Sequence, residues 1–364
     1  MKCEFCGKEL SEEEVFTFDG VTMCSACMER QTVICDRCNT RIWIEDDEGN
    51  DNISLCQSCC DQYYTHCERC GRLIACDDAM YVDEYDDLPY CEDCYHYEDA
   101  RTTIHEYSYK PEPVFHGDNN LYLGIELEID DGGDCIDNAE QLLSIANFQA
   151  ENMYIKHDGS IDDGFELVTH PMTLEYHEKE MPWKRILDSA IAMHYRSHNT
   201  KTCGLHCHVS RSAFGDTYGK QEEVIARIVY FVEAHWNELL KFSRRTEASI
   251  MRWASRYGIA ENAKVTYDKA KKGSWGRYVC VNLQNSQTVE FRIFRGTLRY
   301  ETLIAALQLV HEICINAIAM NDKEFEALSW SDFVSRIEDK PELINYLKSK
   351  RLYVNETVAE EADV

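Results

Sequence analysis

Residues 204–210 read GLHCHVS. The two histidines stand two positions apart, with Leu205, Cys207 and Val209 alternating between and after them. In a β-strand, alternate side chains share a face. His206 and His208 therefore point one way and the apolar residues the other. A strand that is anchored on one face and carries two imidazoles on the opposite face needs partners for those imidazoles, and other strands should supply them. A structural or zinc-binding pair is the alternative reading of these two histidines.

Three further segments have the same character. LYLGIELEID (121–130) sets Glu126 and Glu128 on one face and Leu121, Leu123, Ile125, Leu127 and Ile129 on the other. Adjacent carboxylates repel unless a cation lies between them, although alone the pair would equally suit a solvated face. YIKHDGSIDDGFELVTHP (154–171) contains a turn at HDGS and a strand at GFELVTH, so Asp158 and Glu166 can return to one place. RYVCVNLQNSQTVEFRIFRGTL (277–298) reads as a hairpin with strands near 277–284 and 288–295. By period two, Glu290, Arg292 and Phe294 share a face, with Arg295 at the strand end.

Helical patterns lie between the strands. One spans 178–198, with Ile186, Leu187, Ala190 and Ile191 as its apolar stripe; others span 221–245, 299–320 and 330–350. His235 and His311 fall within them and read as core or boundary residues. Residues 245–275 show no assignable pattern, and their KAKKG cluster reads as a solvated loop, with a mobile loop over an acidic ligand as the alternative. The order of elements predicts an α+β class with a largely antiparallel sheet packed by helices.

The polar residues collected on these strands are Glu126, Glu128, Asp158, Glu166, His206, His208, Glu290, Arg292 and Arg295. Clustered carboxylates with an imidazole suit Mg²⁺ or Mn²⁺. Arginines beside them suit phosphoryl oxygens, which a planar guanidinium grips in pairs. Together they are the apparatus of phosphoryl transfer from a nucleotide.

Read in order, ELE (126–128), DGSIDDGFELVTHP (158–171), GLHCH (204–208) and EFRIFRGT (290–297) resemble the glutamine-synthetase-like carboxylate–amine ligases, in particular the amidoligase family, over about residues 121–320. The resemblance implies a glutamine-synthetase-like fold. It implies two divalent cations, Mg²⁺ or Mn²⁺, held by Glu126, Glu128, Glu166, His206 and Glu290, with Asp158 as a further carboxylate. It implies that Arg292 and Arg295 contact phosphates and that His208 shares the cavity. The implied chemistry uses ATP to convert a carboxylate into an acyl phosphate, which an amine attacks to give an amide. The family also points to bacteria or their phages. A phosphotransferase on the same fold and a non-catalytic zinc-ribbon interaction protein are the alternatives.

The chain has 364 residues and 19 cysteines, of which fourteen lie in residues 1–94. Twelve form three units: Cys3-x2-Cys6 with Cys24-x2-Cys27, Cys35-x2-Cys38 with Cys56-x2-Cys59, and Cys67-x2-Cys70 with Cys91-x2-Cys94. The first cysteine recurs at 3, 35 and 67, a period of 32. Paired Cys-x2-Cys knuckles present four thiolates to one Zn²⁺ and leave no open position, so three structural zinc ions are expected. The segment resembles treble-clef or LIM-like zinc ribbons. Cys60 and Cys76 are left over and read as spare buried thiols.

These patterns divide the chain into zinc modules at 1–30, 31–62 and 63–100, a linker at 101–120, a catalytic domain at 121–350 and an acidic tail at 351–364. Net charge is −29, and residues 1–100 hold 7 Lys and Arg against 25 Asp and Glu, with acidic runs at 45–51 and 81–87. A nucleic-acid partner is therefore disfavoured, and a peptide or protein substrate, basic in character, is the expected partner of the zinc region. No run of about 18 apolar residues and no secretory leader is visible, so no membrane association and a cytoplasmic location are expected. The oligomeric state is left open.

Overall fold

The computed structural model describes residues 1–364 except 51, 82–87, 100–101, 199, 201–202, 274 and 354–364. Most of the acidic run 81–87 and most of the expected acidic tail thus lie outside the described residues. The chain divides into two compact units, Met1–Thr102 and Thr103–Val364.

The first unit is built three times from one plan. Its elements are β1 (Phe16–Phe18), β2 (Val21–Met23), α1 (Ser25–Gln31), β3 (Thr32–Ile34), β4 (Arg41–Trp43), α2 (Gln57–Tyr63), β5 (Tyr64–His66), β6 (Leu73–Ala75) and α3 (Glu92–Asp99). In the second and third modules the first knuckle is the tip of the β3–β4 or β5–β6 hairpin; in the first module a bridge between Lys2 and Glu9 does the same job. The residue after each knuckle, Gly7, Asn39 or Gly71, has φ between 58° and 75° and closes the turn onto the first cysteine's carbonyl. Only Gly and, next best, Asn take that left-handed conformation cheaply. α1 and α2 each run directly into the first strand of the next hairpin. Small cores of Cys3, Leu10 and Met23, of Cys35 and Leu55, and of Cys67 and Tyr90 close the modules.

The second unit holds β7 (Ile104–His105), β8 (Tyr122–Ile129), α4 (Ile136–Ala146), β9 (Met153–Lys156), β10 (Phe165–Thr169), β11 (Met172–Thr173), α5 (Leu174–Lys179), α6 (Trp183–Ala192), β12 (Gly204–Ser210), α7 (Tyr218–Ala234), α8 (Trp236–Ser243), α9 (Glu247–Trp253), α10 (Ala263–Lys272), β13 (Val281–Asn282), β14 (Thr288–Arg295), α11 (Tyr300–Ala319), α12 (Asp322–Glu326), α13 (Trp330–Ser335) and α14 (Pro341–Ser349). One sheet runs β13-β14-β12-β8-β10-β9-β7, with β11 also on β8. All its pairs are antiparallel except β7 with β9. The expected mixed class and largely antiparallel sheet are therefore present.

Alternation along β8 works as the sequence requires. Leu123, Ile125, Leu127 and Ile129 are fully buried in one core with residues of α6, α7 and α11. Glu126 and Glu128 face the other side. The helix α11 is long and apolar enough to cross a membrane, but 72% of that stretch is buried, and it packs on α7 and α14 as a core helix.

Several expectations need correction. Residues 103–120 are not a separate linker: Ile104 and His105 are buried and extend the sheet edge as β7. Residues 245–275 form α9 and α10 rather than a loop, with Thr246 and Asn262 capping their N-termini. The 178–198 helix is two, and in α6 Ile191 is 51% exposed while Trp183 takes its place in the stripe. The 221–245 helix breaks at His235, whose Nε2–H donates to the Leu328 carbonyl at 3.0 Å. The packed chain extends past 350, since Leu352 is buried and accepts a hydrogen bond from Trp330 at 2.9 Å. Cys60 is buried as expected, but Cys76 is exposed.

Candidate metal centres and active site

In each cysteine quartet of the first unit, all four sulfurs lie within 4.8 Å of one another. The pairs Cys6–Cys24, Cys38–Cys56 and Cys70–Cys91 are 3.8, 3.7 and 3.8 Å apart. A tetrahedron with Zn–S bonds of ~2.3 Å has edges of about 3.8 Å, whereas a disulfide needs ~2.05 Å. Burial works to raise the Cys3, Cys35 and Cys67 thiols, but backbone N–H groups of the knuckle and of Cys24, Cys56 and Cys91 prevail and bring them to about 6. Burial and neighbouring thiols push Cys27, Cys59 and Cys94 to about 12. The backbone N–H groups thus favour the thiolate at the first cysteine of each quartet, and the crowded thiols around it suit a cation. The three groups could each hold a zinc ion.

The second site lies on the sheet face opposite the core. Its register is direct: Lys156 pairs with Glu166, Glu166 with Glu128, Glu126 with His206, His208 with Glu290, and Glu290 with Asn282. Six neighbouring strands so deliver a continuous polar band to the floor of a cavity of about 460 Å³. Glu126, Glu128, Asp158, Glu166, His206, His208, Glu290 and Arg292 all line it.

His206 is the centre of the array. Its Nδ1 is 3.3 Å from Glu126 Oε2 and 3.7 Å from Glu290 Oε1, and its Nε2 is 3.9 Å from Glu128 Oε1. Two triads of closely spaced ligand atoms result, Glu126–His206–Glu290 and Glu128–Glu166–His206. A neutral imidazole has one free lone pair, so it completes one triad at a time and leaves the other open to further oxygen ligands. Asp158 and His208 belong to neither triad. Asp158 accepts the Ser160 backbone N–H at 2.8 Å, and His208 Nε2 is 3.2 Å from Glu126 Oε1.

The electrostatics suit a cation. Burial, then the charge of Glu126, push Glu166 well above the usual carboxylate range, although Lys156 opposes both. Burial likewise raises Glu128. Burial acts the same way on Glu126 and Glu290, but the histidines hold Glu126 well below that range and, with Arg292, lower Glu290. A divalent cation among these carboxylates would relieve their mutual repulsion and favour the ionised form of Glu166. Oxygen donors with one imidazole suit Mg²⁺ or Mn²⁺.

Arg292 donates to Glu290, and its buried Nε–H has no hydrogen-bond partner among the described residues. Arg295 is not in this cavity. A bulge explains its position: Leu205 pairs with Phe294 and Cys207 with Phe291, so Arg292 and Ile293 together oppose His206. The extra residue reverses the parity of the strand end. Phe294 turns into the core against Phe242, rather than sharing a face with Glu290 and Arg292. Arg295 comes to the site face opposite Gly204, one recess further along.

Several lining residues escape the sequence reading. Lys156 forms a buried pair with Glu166 at 3.2 Å; Asn282 Nδ2 donates to Glu290 at 2.8 Å; Tyr107, Arg277 and Tyr278 form a cation–aromatic rim. Arg245 is the most consequential. Its Nε–H donates to the Phe294 carbonyl at 3.0 Å, and burial, then the charges of Arg292 and Arg295, lower it to about 10 although Glu128 works the other way. Lysine in an otherwise apolar strand was the one available signal for Lys156. Arg245, at a helix end, had none.

Residues 144–314 match the model of a family described as "putative amidoligase enzyme". The match is just under half of the chain. It takes in Asp158, Glu166, His206, His208, Arg245, Glu290, Arg292 and Arg295, and leaves out β8 with Glu126 and Glu128. No curated protein matches the chain.

Proposed function

We propose that this protein is an ATP-dependent carboxylate–amine ligase of glutamine-synthetase-like fold, working through an acyl phosphate. The observation that carries the reading is the pair of carboxylate triads sharing His206, with Arg292 beside them, in one cavity. The match of residues 144–314 to the amidoligase model supports a ligase over other users of the same ligand set.

Glu126, Glu128, Glu166, His206 and Glu290 would hold divalent cations. Bound there, Mg²⁺ or Mn²⁺ supplies charge neutralisation for the nucleotide phosphates. The chain's own residues do the rest. The free Nε–H of Arg292 is placed to donate to a phosphoryl oxygen as charge shifts during transfer. Glu290 fixes that guanidinium, and Asn282 fixes Glu290. A substrate carboxylate oxygen attacks the terminal phosphorus as its bond to ADP breaks. An amine nitrogen then attacks the acyl carbon, gives up a proton, and inorganic phosphate leaves. Carboxylate activation is needed because oxide is a far poorer leaving group than phosphate.

The first unit recruits the substrate in this reading. Its acidic surface and exposed apolar side chains, Phe5, Phe16, Ile34 and Ile44, suit a basic peptide or protein segment. The test is ADP release from ATP with Mg²⁺ or Mn²⁺ and a pooled amino-acid and peptide extract. Glu128→Ala and Arg292→Ala each abolish extract-dependent turnover. Mass spectrometry then finds a product one water lighter than its two parents. A phosphorylated product that needs no amine would indicate a phosphotransferase, and absence of both turnover and nucleotide binding would overturn the enzyme.

A further inference from the structure

Twelve of the fourteen cysteines in residues 1–94 form the quartets, and Cys60 and Cys76 do not. The fold brings these two together where the second module meets the third. Cys60 lies on α2, and its carbonyl accepts the N–H of Tyr64. Tyr64 pairs across the hairpin with Ala75, and Cys76 is the next residue. One helical hydrogen bond, one cross-strand pair and one peptide bond thus connect the two residues, so they are neighbours in space. Burial raises the Cys60 thiol, and after the charges of Glu48, Asp61 and Cys56 that of Cys76 adds to it, so the two sulfurs lie within electrostatic reach.

The preceding junction has the same backbone plan and different side chains. The period of 32 carries Cys60 back to Met28 and Cys76 back to Ile44. There the Met28 carbonyl accepts the Thr32 N–H, and Thr32 pairs with Trp43, the residue before Ile44. Met28 and Trp43 pack on the core of the first module. Neither packing nor zinc binding therefore requires a thiol at these positions, yet the second junction has one at both. Cys76 is exposed, whereas Cys60 is buried. An exposed free thiol is open to oxidation, which makes it a liability unless it has a use.

We infer that Cys60 and Cys76 are a redox pair, which a peroxide joins into a reversible disulfide tying α2 to the β5–β6 hairpin. The exposed Cys76 reacts first. Its sulfur takes one oxygen from the peroxide and becomes a sulfenic acid, and one water leaves. The Cys60 sulfur then attacks that sulfur. The S–S bond forms, the S–O bond breaks, and the hydroxyl leaves with the Cys60 proton as a second water. Two thiols have lost two electrons, and one peroxide has become two waters. A dithiol reductant reverses the bond by exchange. The twelve zinc ligands take no part. In a reducing compartment such a bond is transient, which suits a sensor rather than a permanent staple.

The test is mass spectrometry of the full chain, purified with its zinc and treated with dilute hydrogen peroxide, before and after tryptic digestion without reductant. The intact mass is expected to fall by about 2 Da, the two hydrogens lost from the thiols. The peptides that carry Cys60 and Cys76 are expected joined, with zinc content unchanged, and dithiothreitol separates them. Cys76→Ser, at an exposed position, abolishes the link while zinc content and the melting temperature of the reduced protein stay at wild-type values. Cys60→Ser leaves Cys76 as a sulfenic acid that dimedone traps. Oxidation of Cys76 without a link to Cys60 in the wild-type chain overturns the inference. So does a link from Cys76 to any of the twelve ligand cysteines, a link that forms only as zinc is released, or a link between two chains, seen as a doubled intact mass.

Discussion

Lys156 faces Glu166 across neighbouring strands, Nζ to Oε2 at 3.2 Å, with both side chains more than nine-tenths buried. A lysine inside a candidate metal array is a fixed internal counter-charge. It lets the cavity fold before a cation arrives, and it limits how much positive charge the cavity then accepts. Lys156→Met removes the counter-charge and leaves Glu166 buried among Glu126 and Glu128. Breaking a buried pair in this way costs roughly 3 kcal/mol. The expected result is a melting temperature lowered by several degrees in chelator and largely restored by Mn²⁺, because the cation now does the work of the ammonium. Equal losses with and without Mn²⁺ would show that the cation does not reach Glu166.

Gly204 tests the geometry of the array from the backbone side. Its N–H donates to Glu128, and a Cβ there would stand 2.5 Å from Arg245 Nη2 and 2.8 Å from His206 Nε2. Arg245 can swing aside, whereas His206 is enclosed by three carboxylates. Gly204→Ala is therefore expected to fold but to bind Mn²⁺ about tenfold more weakly, since displaced ligands cost metal affinity on that scale. Electron paramagnetic resonance titration of free Mn²⁺ reads this directly. Wild-type affinity in the alanine variant would mean that His206 is not a ligand.

Much of this site was legible because β-structure has a simple period. Alternation placed Glu126 with Glu128 and His206 with His208, and the register then brought Glu166 and Glu290 to the same cavity, which Asp158 and Arg292 also line. What period two could not reveal was its own interruption. The bulge at Arg292–Ile293 reverses Phe294 and Arg295, and no residue there announces it. Edge strand β7 was hidden in a segment with two prolines, since two residues are too few to alternate. Helix α4 went unread, with only Ala139, Leu142 and Ala146 buried along it. Arg245 acquires its place from tertiary packing alone, where local patterns carry no information.

The sulfur spacing in the first unit makes a stoichiometric statement. Elemental analysis of protein purified without chelator should give three zinc ions per chain, and Cys35→Ser should give two. Each module has little core beyond its cysteines, so metal removal is expected to unfold it, as for other small zinc modules. The far-ultraviolet dichroism of the first unit's short helices should be lost on chelation and recovered with Zn²⁺. Retention of the full signal in a strong chelator would show that the modules fold without metal.

His177 sets an acid limit on stability. The ring is completely buried: Nε2–H donates to the Leu123 carbonyl at 3.1 Å, and Nδ1 accepts the Trp183 indole N–H at 3.2 Å. Both partners demand the neutral ring, and burial lowers its pKa from 6.5 to about 4. A depressed folded-state value means that the unfolded chain takes up the proton first as pH falls. The stabilisation is whole above 6.5, declines through the window from 6.5 to 4, and amounts to about 3 kcal/mol over that span. His177→Gln cannot titrate. It should be less stable than wild type at pH 7 by about 1–2 kcal/mol through imperfect hydrogen bonding, yet lose up to one proton's worth of slope between pH 6.5 and 4. Denaturant unfolding across that range separates the two effects. Parallel pH profiles for wild type and variant would mean that the folded ring takes up its proton as readily as the unfolded one, and that acid sensitivity arises elsewhere.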